Sequence, residues 1–229
     1  MVDNFFTEDE IEKLIQTISK IDISKETVRR TTDVFAIRQF LKEAPHVTET
    51  LFNDRFNKII AEIFGKEFFV VKSIYFDKPE KSNWFVSYHQ DLTISVDKKL
   101  DISGFGPWTT KQNQYAVQPP IEILQDNFTV RIHLDNTNQD NGALQVIPKS
   151  HLKGIYKPET IDWTVEKENI CCVNEGGIMF MKPLLLHSSG RTTNNNKRRV
   201  IHIEFSRSIL PGNLNWSEYM KINFHSVSK

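Results

Sequence analysis

The sequence has 229 residues, of which 39% are hydrophobic and 25% are charged, and these values are ordinary for a soluble globular protein. The 29 basic and 29 acidic side chains cancel, whereas a nucleic-acid-binding domain usually carries a basic excess, so nucleic acid is not an expected partner. No apolar stretch approaches the ~18 residues that cross a bilayer, and the N-terminus lacks the basic and apolar regions of a signal peptide. We therefore expect a cytoplasmic protein that does not bind membranes, with a single domain over residues 1–229.

The first part of the chain, residues 1–66, is predicted to be mostly helical. Thr7-Glu8-Asp9-Glu10 has the form of a capping box, and apolar residues follow it at helical spacing. A second helix is expected over residues 33–43, because the following Pro45 disfavours helical geometry in the residue before it. A third helix is expected from about Val47 to Phe64, with Gly65 as a plausible stop.

Residues 67–206 consist of short segments rich in β-branched and aromatic residues, a pattern that predicts strands. The expected strands are 68–76, 84–89, 128–134, 143–147, 169–173, 177–186 and 198–205. Residues 101–120 are predicted to be a long loop, and long loops in compact domains are frequently lids or binding loops. This order predicts a mainly β fold with N-terminal helices, whose sheets close as a sandwich or barrel, and a C-terminal tail over 207–229.

A histidine and an aspartate, His89 and Asp91, lie two residues apart at the end of the strand predicted over 84–89. Side chains two apart on a strand project to the same face, so both can reach one metal ion. His187, at the end of the strand predicted over 177–186, is the best candidate for a third ligand. Two histidines and one carboxylate form the facial triad of non-haem Fe(II) oxygenases, which leaves further coordination positions open.

The sequence contains a second pair of the same kind, at His133 and Asp135, and a bare His-x-Asp pair is common by chance. The first pair is favoured because it leaves room for about four strands before His187, and a barrel needs several strands between its ligands. Asp135 also precedes the Asn-Gly turn at 141–142, and its side chain could have a structural role in that turn. His133 still shares a strand face with Arg131, and both remain candidates for the lining of the pocket.

A cation suited to binding a carboxylate follows His187. Arg198 and Arg199 begin a strand that is expected to return alongside the strand of His187. An arginine can hold a carboxylate through two parallel hydrogen bonds, and Ser189 could add a hydroxyl donor. Alternation along the strand leaves open which arginine faces inwards, and surface arginines near a turn are common.

Four stretches of the sequence together resemble the phytanoyl-CoA dioxygenase family. They are NWFVSYHQDLTISV at 83–96, GFGPW at 104–108, TVRIHLDNTNQDNGALQVIPKSHLKG at 129–154 and GGIMFMKPLLLHSSGRTTNNNKRRVIHIEF at 176–205. Their ordered combination is much more specific than any single motif, whereas the N-terminal helices add little. The resemblance implies a double-stranded β-helix, a jelly-roll or cupin-like barrel, that uses Fe(II), O₂ and 2-oxoglutarate.

By this resemblance, His89, Asp91 and His187 are the catalytic metal ligands. Arg198 and Ser189, which follow His187 by eleven and two positions, are expected to bind 2-oxoglutarate. The resemblance further implies that 2-oxoglutarate is decarboxylated to succinate and CO₂ while a small organic substrate is hydroxylated. Related halogenases lack the carboxylate ligand, so the presence of Asp91 favours hydroxylation.

Two aromatic residues are weaker candidates for the pocket. Phe85 shares the face of His89 by strand alternation, although core packing explains it at least as well. Trp108 lies in the predicted long loop and is a candidate lid residue.

Two alternative functions use the same barrel. A cupin-like protein could hold the metal without turnover, but it would not need an inward arginine to bind a co-substrate. A zinc hydrolase could use the same three ligands around a metal-bound water, with Asp135 as the obvious general base. A small molecule is the expected partner in each case, and the sequence carries no signal for an oligomeric state.

Overall fold

The computed structural model describes residues 1–111 and 114–222, and helices and 3-10 turns surround a mainly antiparallel β structure. Within these ranges the α-helices are α1 (Glu8–Ile18), α2 (Phe40–Glu43), α3 (Thr48–Leu51), α4 (Asp54–Ile63) and α5 (Ile121–Asp126). The 3-10 turns are Pro45–Val47, Gln139–Asn141, Ser150–Lys153 and Pro158–Thr160. The strands are β1 (Val28–Arg30), β2 (Phe35–Arg38), β3 (Phe69–Lys78), β4 (Val86–His89), β5 (Ile94–Val96), β6 (Trp108–Lys111), β7 (Gln114–Val117), β8 (Phe128–His133), β9 (Leu144–Val146), β10 (Asn169–Cys171), β11 (Ile178–Met181), β12 (His187–Ser189), β13 (Arg198–Ser206) and β14 (Met220–Lys221).

The described strands form three sheets. The major sheet has the order β1-β2-β3-β13-β8-β11, with β14 also paired to β3, and the minor sheet has the order β10-β9-β12-β4. A third, small sheet has the order β5-β7-β6. Neighbours in the first two sheets are mostly distant in sequence, as a double-stranded β-helix requires, because the chain crosses between sheets as it winds round the barrel.

The predicted capping box starts α1. The hydroxyl of Thr7 accepts a hydrogen bond from the backbone N–H of Glu10 at 3.3 Å, and the Glu10 carboxylate accepts from the Thr7 N–H at 2.8 Å. These reciprocal bonds satisfy two of the N–H groups that a helix start leaves free. The helix buries Ile11 and Leu14 in the hydrophobic cluster that covers the outer face of the major sheet.

The helical prediction for residues 33–43 was wrong over its first half. Strand β2 occupies Phe35–Arg38 and pairs with β3, and only α2 is helical. Pairing with the long, buried strand β3 outweighs the local helical pattern, because sheet contacts depend on residues far away in sequence. The third predicted helix is also interrupted: Asn53 caps α4 by accepting a hydrogen bond from the N–H of Phe56 at 3.0 Å.

Two further predictions need correction. The predicted loop 101–120 contains β6 and β7, which complete the third sheet with β5. Trp108 therefore begins a strand, opposite Val117, and packs on the adjoining hydrophobic cluster. The strand predicted over 177–186 ends at Met181, and His187 begins a new strand after a turn. Pro183 lies in that turn, where its missing N–H is not needed by a sheet.

Alternation along β13 and β8 separates an apolar outer face from a polar inner face. Outward side chains such as Ile203 and Phe205 join the cluster under the helices, where Phe128 stacks on Phe205 at 4.8 Å between ring centroids. Inward side chains such as Arg198 and His202 are polar and nonetheless buried. The fold therefore concentrates ionisable groups inside the barrel. No helix in the described part of the chain is both long and apolar enough to cross a membrane.

Candidate metal centre

His89, Asp91 and His187 are brought together where the minor sheet ends. His89 closes β4, His187 opens β12, and the two residues are direct partners across the antiparallel pair, with ring centroids 4.3 Å apart. The N–H of Asp91 donates to the carbonyl of Pro183 at 2.9 Å, which ties it to the turn before β12. One donor atom from each of the three side chains lies within 4.8 Å of the others, so a single ion can contact all three.

Hydrogen bonds fix the ring nitrogen that each histidine presents. His89 Nδ1 lies 2.9 Å from the carbonyl of Ser87, and His187 Nδ1 lies 2.8 Å from the carbonyl of Leu185. Because a carbonyl only accepts, each Nδ1 carries the proton and each Nε2 keeps a lone pair. Both Nε2 atoms point towards Asp91, at 3.8 Å and 3.9 Å from its carboxylate oxygens.

The electrostatics of the cluster suit a cation. Burial raises the pKa of Asp91, but the charges of His187 and Lys72 outweigh this effect and lower the pKa to about 2. Burial lowers the pKa of His187, and only part of this is offset by Asp91. At neutral pH the cluster therefore offers an anionic carboxylate and a neutral imidazole, which are the protonation states that metal binding requires.

The structure distinguishes between the two arginines that the sequence left open. Arg198 is buried on the inner face of β13, and its Nη1 donates to the carbonyl of Gly142 at 2.5 Å, while its Nε has no hydrogen-bond partner. Ser189 donates to the same carbonyl at 2.9 Å. Arg199 lies on the opposite face and binds both carboxylate oxygens of Asp135, at 2.7 Å and 2.9 Å. Arg198 is thus the arginine inside the barrel.

Arg131 and His133 also lie inside the barrel. Burial lowers the pKa of Arg131 to about 10, and the charge of Asp91 acts in the opposite direction. His133 Nδ1 lies 2.8 Å from the hydroxyl oxygen of Thr137, and its Nε2 is buried without a partner. Both side chains thus carry unpaired nitrogen atoms in the interior, because Arg131 Nε also lacks a partner.

Phe85 lies away from this interior. Its side chain is 50% exposed, and the guanidinium of Arg191 lies 5.5 Å from its ring centroid. Trp108 lies in the third sheet. Among the described residues, neither Phe85 nor Trp108 makes a ring contact or side-chain hydrogen bond with His89, Asp91 or His187. Phe85 precedes β4, so the strand alternation used for the prediction does not extend to it.

Several polar residues of the barrel interior were not among the site residues predicted from the sequence. Arg131 Nη1 lies 3.3 Å from His202 Nδ1, His202 Nε2 lies 3.1 Å from Glu204, and Glu204 pairs with Lys72 at 2.6 Å. Alternation along β13 places His202 and Glu204 on the same face as Arg198, and this pattern could have identified both as residues of the barrel interior. The resulting chain of hydrogen bonds joins Arg131 to Lys72 through His202 and Glu204.

Gln90 lies between His89 and Asp91, and the sequence analysis did not identify it as part of the site. Its amide nitrogen donates to the carbonyls of Gly154 at 2.9 Å and Leu184 at 2.6 Å, and its amide oxygen accepts from the N–H of Tyr156 at 2.8 Å. These partners are far away in sequence, so no local pattern indicates them. Gln90 links the segment that carries His89 to the turn before His187.

Comparisons with known proteins agree with this architecture. A model of the family described as phytanoyl-CoA dioxygenase matches residues 1–200. A comparison with curated proteins finds no match. Among solved structures, SnoK, a non-haem α-ketoglutarate-dependent carbocyclase from nogalamycin biosynthesis, is similar with a TM-score of 0.66 and 15% identity, over 90% of this chain and 78% of that chain.

Two further structures are similar at the same level. SnoN, a non-haem α-ketoglutarate-dependent epimerase from nogalamycin biosynthesis, has a TM-score of 0.64 and 14% identity over 93% of this chain and 84% of its own. HygX from Streptomyces hygroscopicus, solved with nickel, 2-oxoglutarate and hygromycin B, has a TM-score of 0.63 and 12% identity over 90% and 81%. These likenesses confirm the predicted fold class, and the family match shows that this chain belongs to the phytanoyl-CoA dioxygenase family.

Proposed function

We propose that this protein is a non-haem Fe(II)- and 2-oxoglutarate-dependent oxygenase that hydroxylates a small organic substrate. The observation that carries the proposal is the cluster of His89, Asp91 and His187, with two free Nε2 lone pairs and one carboxylate around a common point. Family membership supports the same conclusion. The relatives described as α-ketoglutarate-dependent share the fold.

The donor atoms fit iron. Two imidazole nitrogens and one carboxylate oxygen form the set that non-haem Fe(II) oxygenases use, and this set leaves positions for a chelating co-substrate and O₂. When bound, Fe(II) with 2-oxoglutarate and O₂ supplies the oxidation of a C–H bond and releases succinate and CO₂. The carbonyls of Ser87 and Leu185, which contact the two Nδ1 atoms, would hold both imidazoles in the orientation and tautomer that the metal needs.

The residues beyond the ligands support binding of the co-substrate. Arg198 is a buried cation whose Nε has no partner, and a buried donor without a partner is costly unless a ligand satisfies it. We assign Arg198 and the hydroxyl of Ser189 to the distal carboxylate of 2-oxoglutarate. Their burial would exclude water and strengthen this charge-assisted contact.

The chemical outcome is proposed from the ligand set. SnoK is described as a carbocyclase and SnoN as an epimerase, so proteins of this fold catalyse more than one kind of reaction. Hydroxylation is proposed for this chain because Asp91 supplies the carboxylate ligand that the related halogenases lack. Analysis of the oxidised product by mass spectrometry, once a substrate is found, distinguishes an added oxygen atom from ring closure or epimerisation.

The two alternative functions have less support. A zinc hydrolase would need a general base, but both carboxylate oxygens of Asp135 are bound by Arg199 on the opposite face of β13. A metal-binding protein without turnover gives no reason for a buried arginine inside the barrel whose Nε has no hydrogen-bond partner. Both alternatives use the same three ligands, so metal binding alone does not separate them from an oxygenase.

Calorimetry of 2-oxoglutarate binding to anaerobic, Fe(II)-loaded protein tests the proposal. We expect metal-dependent binding in the wild type, its loss in His187→Ala, and no change in His46→Ala, which alters an exposed histidine. Release of succinate after admission of O₂ then tests turnover. Absence of metal-dependent 2-oxoglutarate binding in the wild type would overturn the proposal.

A further inference from the structure

A small polar cavity opens between strands β2, β3, β5 and β7, and its volume is about 190 Å³. Lys72 and Ile74 form its wall on β3. In the sheet these residues pair with Glu204 and His202, which are buried on the inner face of β13. Because paired residues of neighbouring strands point to the same side of a sheet, this wall belongs to the interior of the barrel.

The cavity lies close to the cluster that contains Asp91. Thr93 and Ser95 line the cavity, whereas Ile94 and Val96 point the other way, into a hydrophobic cluster. Thr93 follows Asp91 by two residues, a length of chain that spans at most about 7 Å. A molecule in the cavity is therefore placed beside the proposed metal centre.

An arginine faces this cavity without an anionic partner. Arg38, the last residue of β2, lines the cavity and pairs in the sheet with Ile74. Burial lowers its pKa, and the charge of Arg29 acts in the same direction. Among the described residues its guanidinium forms neither an ion pair nor a hydrogen bond. The next residue, Gln39, also lines the cavity and has a φ of 51°, an unfavourable conformation for a residue other than glycine, and such strain clusters at binding sites.

A buried carboxylate, that of Glu218, faces the same cavity. The N–H and the hydroxyl of Ser73 donate to its two oxygens at 2.7 Å and 2.5 Å, and the Ser73 hydroxyl accepts from the N–H of Leu41 at 2.9 Å. The N–H of Ser217 donates to the carbonyl of Ser95 at 3.0 Å, which fixes the segment beside β5. No ion pair forms at Glu218 within the described ranges. A carboxylate has about four lone-pair sites, so Glu218 can accept further hydrogen bonds from a ligand.

Resting on the proposed function, we infer that this cavity binds the primary substrate, and that the substrate is a small amino acid whose carboxylate binds Arg38 and whose ammonium group binds Glu218. The two opposite charges of such a molecule match the two unpaired charges of the cavity. A volume of about 190 Å³ corresponds to only about six water molecules and is below the ~300 Å³ of sites for drug-sized ligands.

The remaining lining disfavours an apolar substrate. Most of the other side chains that face the cavity carry hydroxyl or amide groups, among them Gln39, Thr93, Ser95, Thr109 and Gln114. An acyl chain in this space would cover these groups without giving them hydrogen bonds, which is unfavourable. The hydroxyl and amide groups are instead available to the polar atoms of an amino acid.

The test titrates single amino acids into anaerobic protein loaded with Fe(II) and 2-oxoglutarate, and measures binding by calorimetry. The panel consists of the standard L-amino acids, β-alanine and 4-aminobutyrate. We expect at least one of them to bind with a Kd below about 1 mM. The amide and the N-acetyl derivative of the best ligand each lack one of its charges, and each should bind at least about tenfold more weakly.

Two variants assign each charge of the ligand to a residue. Arg38→Met should weaken binding of the amino acid at least about tenfold more than binding of its amide, which has no carboxylate to lose. Glu218→Gln should do the same for the amino acid relative to its N-acetyl derivative. Arg30→Met, which removes an exposed arginine of the neighbouring strand β1, is the control and should change no affinity. A general loss of structure would not reproduce this pairing of variant with derivative.

The outcomes separate the substrate class from the proposed function. If the wild type does not bind 2-oxoglutarate in the presence of Fe(II), the proposed function itself fails. If it binds 2-oxoglutarate but no member of the panel at up to about 10 mM, only the amino-acid assignment is overturned. An amino acid that binds as tightly as its amide and N-acetyl derivatives, or that binds both folded variants as it binds the wild type, overturns the assignment as well. Where a variant does not fold, the two derivatives on the wild type decide.

Discussion

Replacing Gln90 tests how the proposed metal ligands are held in place. Gln90→Met keeps the approximate size of the side chain and removes all three hydrogen bonds to Gly154, Leu184 and Tyr156. Gln90 is 8% exposed, so water does not readily replace the lost bonds. Each buried backbone group left unpaired costs about 1–3 kcal/mol, and even the lower value for each of the three groups gives a loss of about 3 kcal/mol in the free energy of unfolding.

Urea titration of the metal-free protein, followed by circular dichroism, measures this loss. Gln145→Met is the control, because Gln145 lies in the same minor sheet and makes one side-chain hydrogen bond, from Ser188 at 3.0 Å; it should cost no more than about 1 kcal/mol. A second assay is metal affinity, which should fall in Gln90→Met because Gln90 joins the strand end of His89 to the turn before β12.

The prediction for Gln90 has a definite contrary result. Equal losses of stability in Gln90→Met and Gln145→Met would show that the three hydrogen bonds are replaced or were never formed. Unchanged metal affinity, alongside the expected loss of stability, would show that the ligands keep their positions without this link. Either result would refute the corresponding part of the reasoning.

The remaining predictions concern the ligands, the inner arginine, the core and pH. Asp91→Ala should abolish Fe(II)-dependent succinate formation, and retained activity would remove Asp91 from the ligand set. Arg198→Ala should raise the KM for 2-oxoglutarate at least about tenfold, whereas Arg199→Ala should leave it unchanged in the same assay. Phe128→Ala should lower the free energy of unfolding by about 3–5 kcal/mol, since Phe128 is fully buried and stacks on two rings; a loss below about 1 kcal/mol in urea titrations would contradict this. Lys78, the last residue of β3, is buried, and burial lowers its pKa to about 7. An unfolded lysine has a pKa of about 10.4, so the unfolded chain binds more protons between these values and stability of the metal-free protein should rise with pH there. Lys78→Met should flatten this rise between pH 7 and 9, and a slope equal to that of the wild type would count against this effect of the buried lysine.

The sequence by itself determined the elements and side chains whose signals are local. The capping box of Thr7 and Glu10 needs only residues within one helical turn. The two-residue spacing of His89 and Asp91 was enough to identify them as a pair, although Asp91 lies beyond the end of β4 and is held by the turn before β12. The length of chain before His187 favoured this pair over the one at His133. The resemblance to the family rests on the same contiguous stretches, and residues 1–200 match its model.

Only the tertiary structure decided the features that depend on contacts between distant segments. Arg198 and Arg199 are equivalent in the local pattern, and the inward one is defined by the pairing of β13 with β3 and β8. Asp135 is excluded as a ligand by its bond to Arg199, which lies 64 residues away in the chain. Gln90 likewise has partners 64 to 94 residues away.

The same reason explains the errors in secondary structure. Strand β2 forms because its backbone pairs with β3, and the third sheet forms because β5, β6 and β7 share a hydrophobic cluster. Local propensities differ by about 1 kcal/mol or less per residue, so the burial and hydrogen bonding that pairing provides can outweigh them. The sequence therefore determined which chemical groups the site contains, and the folded barrel determined which of them meet, because that depends on strand pairing between distant parts of the chain.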